Sequence, residues 1–151
     1  MICYKIVRSE ERLSSAIVTV PLRVQYEIGR WVKAPPQASR MGYYLTAFKT
    51  LKDAEDFLLL NVPYLPYLKG NKEAATWQIF ESEGRYLVDP PPPALTAGSL
   101  TLLTKGEVST FEELLSRRFV SKVGWPGGTL MFKEIKLIRQ IYLRGGRDDL
   151  L

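Results

Sequence analysis

The sequence predicts an α+β fold: a single compact domain, mainly an antiparallel twisted sheet, with two helices over about 51–60 and 110–118 packed on it. Three observations carry that expectation. Short runs of β-branched and aromatic residues recur along the chain and end at Gly or Pro. Two stretches instead repeat apolar residues at spacings of three and four behind a hydroxyl-bearing cap. A chain of 151 residues, 46% hydrophobic and 25% charged, suits one globular core. The expected domain runs over 1–143, followed by a polar tail over 144–151.

The organising unit is a strand, a helix and a second strand. Tyr43 to Phe48 is aromatic and β-branched, as a half-buried strand requires. Thr50 and Asp53 then have the spacing of a helix cap, and Leu51, Ala54, Phe57 and Leu58 share one helical face. Asn61 and Pro63 stop the helix, and Thr76 to Glu83 forms the next strand, ended by Gly84. Ahead of this unit, Ile2–Val7, Ser14–Leu22 and Arg23–Ile28 read as an antiparallel meander. In its last strand Val24, Tyr26 and Ile28 alternate inward. Tandem prolines make Trp31 to Arg40 a loop or edge segment.

Behind the unit, Val62 to Leu68 repeats a Pro-Tyr-Leu triplet, either a strap packed on the domain or an exposed apolar surface. Arg85–Val88 is a short strand, Pro90–Pro93 an extended connector, and Ser99–Leu103 another strand. Ser109 caps the second helix with Glu112, and Phe111, Leu114 and Leu115 face the core. Trp125 to Gly128 is a tight turn. Thr129 to Leu143 fits both periods: Met131, Ile135, Ile138 and Tyr142 follow a helix, while Ile135, Leu137, Ile141 and Leu143 alternate. Its many β-branched residues favour strand over helix.

Composition removes much chemistry. With no histidine and a single cysteine, the chain has no Ser-His or Cys-His nucleophile, no Cys/His zinc site and no internal disulfide. Cys3, within a strand, reads as a buried inert thiol. No phosphate loop is present, and no metal or cofactor is expected. The longest apolar run, Phe57–Leu60, falls far short of a membrane helix, and charges break up the first dozen residues. The expectation is a soluble cytoplasmic protein. Scarce Asn, Gln, His and Cys beside abundant Pro, Glu, Lys and Arg point to a hot habitat.

The net charge is +5, with +5 in residues 1–50, −3 in 51–100 and +3 in 101–151. Basic ends suit an anionic partner. Arg30, Trp31, Lys33 and Arg40 mix cations with an aromatic ring that can stack on a base. With Arg117, Arg118 and Lys122 they are the candidate binding residues, and nucleic acid is the expected partner. The Pro-Tyr-Leu strap and the proline run support an alternative, a protein-interaction or inhibitor module of viral or mobile-element type. Oligomeric state is not legible from the sequence.

Glu81 and Glu83 are the candidate catalytic residues. Two apart on a strand, their carboxylates point the same way, and mutual repulsion can tune one of them as an acid or base. The Glu-x-Glu spacing is similar to that at the catalytic strand of arginine-type ADP-ribosyltransferases. That resemblance implies an NAD-using enzyme in which Glu83 stabilises the cationic sugar, with Arg8 near the dinucleotide phosphates and Tyr43 or Tyr44 against nicotinamide. The chain departs from the family pattern: before Glu81 it offers only Ser14-Ser15 in place of the Ser-Thr-Ser strand. The sequence leans towards a binding module, with the enzyme as a further alternative.

Overall fold

The computed structural model describes residues 1–9, 13–15, 24–61, 77–118 and 120–141. Residues 16–22 of the expected Ser14–Leu22 strand, the Pro-Tyr-Leu strap, the tail over 144–151 and the Arg8 side chain lie outside the described residues.

Strand-forming runs pair antiparallel throughout. β1 (Ile2–Ser9) pairs along one side with β6 (Trp77–Leu87), from Ile2↔Glu83 to Arg8↔Trp77. β6 pairs on its other side with β9 (Thr129–Ile141). The far side of β9 takes β5 (Leu45–Phe48) and then β4 (Trp31–Lys33). β5 returns to β1 through one residue pair, Tyr4↔Phe48. Thus β1, β6, β9 and β5 close a ring whose β1–β5 seam is a single bridge. β2 (Leu13–Ser15) and β3 (Gln25–Tyr26) extend the sheet from β1. The 129–141 segment is therefore a strand, as its β-branched residues favour.

Alternation sorts the ring's side chains. Cys3, Val7, Leu45, Phe80, Phe132 and Leu137, drawn from all four strands, cluster inside. Ile6, Phe48 and Ile79 face out and are covered by α2 (Leu51–Asn61) through Ala54 and Leu58. Full burial of Leu58 contributes roughly 2 kcal/mol. The expected cap on α2 is formed: the Thr50 hydroxyl accepts from Asp53 N at 3.1 Å and donates to its carboxylate at 2.7 Å. A second unit packs Ala38 of α1 (Pro36–Ser39) with α3 (Ala97–Thr104) and α4 (Phe111–Ser116). A two-stranded ribbon of β7 (Ala94–Leu95) and β8 (Lys122–Val123) adjoins it.

Several expectations are corrected. The Ser99–Leu103 segment is helix α3, because Thr96 caps it: its hydroxyl accepts from Ser99 N at 3.2 Å. Pro36 opens the short helix α1 at a position where a missing amide is tolerated. The cap of α4 is Thr110, one residue later than expected, accepting from Glu113 N at 3.1 Å. This helix ends at Ser116, leaving Arg117 extended. Gly84 does not end β6, which runs on to Leu87. A Cβ at Gly84 would lie 2.6 Å from the Phe132 ring, so glycine there permits close packing within a strand. Ile28 is 58% exposed because the chain turns at Gly29, where φ is +83° and the amide donates to Leu137 O.

Candidate functional site

The single-bridge seam between β1 and β5 holds a buried lysine. On β1, Cys3, Lys5 and Val7 share the inward phase, so a lysine points into the ring interior. Past Tyr4↔Phe48 no further β1–β5 pair forms among the described residues. There the Lys5 ammonium donates to the Thr46 carbonyl at 2.6 Å. Its Nζ also lies 5.7 Å from the centre of the Tyr26 ring. Lys5 is 8% exposed, and burial lowers its pKa from 10.5 to about 8. No carboxylate of the described residues pairs with it. Cys3, two residues before it, is fully buried, and burial pushes its thiol up to about 11, which keeps it unreactive.

Lys5 borders a cavity of about 400 Å³ between this seam and the helical unit. Ala47 and Phe48 wall it from the ring, and Phe111 of α4, Leu95 of β7 and Tyr43, just ahead of β5, wall it from the other side. The Tyr43 ring meets Phe111 edge-on at 5.1 Å, and its hydroxyl donates to Pro93 O at 2.9 Å. Partial burial raises the pKa of that hydroxyl. Trp125 Nε1 donates to Pro92 O at 2.7 Å, so the proline run, which follows a cis Asp89–Pro90 bond, is strapped to the domain as a connector.

The predicted binding residues are scattered. Arg30 pairs with Glu27 at 2.9 Å and Arg117 with Glu113 at 2.8 Å. Lys33 reaches Glu134 at 4.0 Å, while Arg85 holds the same carboxylate at 2.7 Å and keeps it below the usual carboxylate range. Trp31 is half-buried, with the Arg85 guanidinium 3.9 Å and Lys136 Nζ 4.9 Å from its ring centre. Arg40, Arg118 and Lys122 are exposed and make no ion pair with a described residue. The predicted catalytic pair lies within β6 rather than at its end. Arg139 binds Glu81 at 2.6 Å and Lys136 approaches Glu83 at 3.8 Å, and neither acid borders the cavity.

Comparison with protein-family models, with curated proteins and with solved structures finds no match. The site is therefore read from its own chemistry. Sequence reasoning missed Lys5, which it counted only as a charge in the first dozen residues. The available signal was its phase: it shares the inward alternation of Cys3 and Val7. Among the described residues no helix is long and apolar enough to cross a membrane, and no cluster of acids and cysteine could hold a metal ion.

Proposed function

We propose that this protein is a binding module that encloses a small, largely apolar molecule beside Lys5. The observation that carries the reading is the cavity of about 400 Å³, walled mainly by apolar side chains and furnished with a buried lysine. Small-molecule sites have this size and this pattern, with a few polar groups set in an apolar wall. Burial of the ligand's apolar surface supplies affinity, and the ammonium supplies orientation. We place the module in the cytoplasm, where a free thiol such as that of Cys3 stays reduced.

An NMR titration with a panel of small apolar fragments tests the reading. Amide shifts should centre on Lys5, Tyr43 to Phe48 and Phe111, and Ala34→Trp, which projects an indole into the cavity wall, should abolish them while the protein stays folded. Shifts that map to another face, or no shifts from any fragment, overturn it.

Nucleic-acid binding is the second reading, favoured by the exposed Arg40, Arg118 and Lys122. Affinity would then fall steeply with salt as phosphate contacts release counterions. Titration of mixed RNA and DNA at low salt decides it, since affinity that stays unmeasurable removes the reading. A protein partner gains less support, because Tyr43 and Trp125 already engage the proline run.

A further inference from the structure

We infer that the cavity takes a monocarboxylate, an acid whose apolar body fills the space and whose carboxylate pairs with the Lys5 ammonium. The inference rests on the cavity being the binding site and names the chemistry of what enters it. Lys5 has three N–H donors, and one of them is bound to Thr46 O at 2.6 Å. The others have the cavity beside them and no carboxylate of the described residues. A buried ammonium is most favourable with a counter-ion, and a carboxylate entering the cavity supplies one that the described residues do not. The low exposure of Lys5 makes that attraction stronger than at the surface.

The wall also argues for a single charge. Among the described lining residues Lys5 is the only cation, and Val24, Ala47, Phe48, Phe57 and Leu100 offer hydrocarbon. A phosphate dianion would bring two charges to one ammonium and leave oxygens against apolar carbon. A neutral alcohol would leave the lysine unpaired, and an amine would be repelled. Burial holds Lys5 near a pKa of about 8 in the free protein. A bound carboxylate favours the charged form, so above that pH binding must draw a proton from solution.

The test is calorimetric titration of the protein with octanoate, 1-octanol and octylamine at pH 7, on wild type and Lys5→Met, with NMR shifts locating each ligand. Octanoate should bind wild type at least tenfold more tightly than octanol, with octylamine weakest. Lys5→Met should keep octanol and lose the preference for octanoate. At pH 9, in two buffers of different ionisation enthalpy, octanoate binding should take up a proton in wild type alone. Equal affinity for octanoate and octanol overturns the inference while the cavity reading stands. No binding by any of the three overturns both. If Lys5→Met does not fold, proton uptake by wild type at pH 9 decides, and its absence overturns the inference.

Discussion

Lys5→Met should change the slope of stability against pH. Burial lowers the Lys5 pKa from 10.5 to about 8, a destabilisation of about 3 kcal/mol wherever the folded protein carries the charge. The sign follows from proton counts. An unfolded lysine keeps its proton up to its ordinary pKa, whereas the folded one gives it up near pH 8. The destabilisation is therefore full well below pH 8, shrinks as pH rises between the two values, and vanishes above the higher. From pH 7 to 9 wild type should gain about 1 kcal/mol relative to Lys5→Met. Methionine keeps most of the apolar stem and loses the bond to Thr46, a pH-independent term of about 1 kcal/mol that shifts the curve without tilting it. Urea unfolding of both proteins at pH 7, 8 and 9 measures the difference. Measurements stop at pH 9 because burial raises the Cys3 thiol to about 11, and its opposite contribution grows above its ordinary pKa. Parallel curves for the two proteins would refute the destabilising burial of the ammonium.

Three further outcomes are expected. Gly84→Ala forces a methyl group against the buried Phe132 ring, and overpacking of this kind lowers stability by about 1–3 kcal/mol in denaturant unfolding. Thr110→Ala removes the cap of α4 and should lower stability by about 1 kcal/mol, with Thr110→Ser recovering most of it. Arg85→Met leaves the Glu134 carboxylate without its closest cation and uncovers Trp31, so Tm should fall at pH 7. Glu134 is held below its ordinary pKa, so its contribution is present above that value and lost as pH falls through the folded one; the Tm gap should narrow in acid.

What was legible in the sequence was local. The Thr50–Asp53 cap, the buried face of α2 and the strand character of 129–141 each depend on residues within a few positions of one another. Ser99–Leu103 misled because a short apolar run suits either element, and Thr96, which decides for helix, sits just ahead of it. Gly84 reads as a stop only while Phe132, its reason for being glycine, is out of view. Arg30, Trp31 and Lys33 are neighbours in sequence, yet the cations over the Trp31 ring are Arg85 and Lys136 from two other strands. The cavity draws its walls from β1, β5, α4 and the β7–β8 ribbon, and no local pattern encodes such a meeting.

β9 pairs with β4, β5 and β6, and it comes after all three in the chain. On the ribosome the first strands emerge with the partner they share still unmade. β1 and β6 can pair, but one long edge of β6 stays open until the residues of β9 have left the exit tunnel. Such distant pairings are slow to form, and an exposed strand edge is a template for any other extended chain nearby. The nascent protein is thus most vulnerable between the emergence of residue 87 and that of residue 141 from the tunnel, with the outer edge of β6 as the place where a chaperone, or a second nascent copy, would attach.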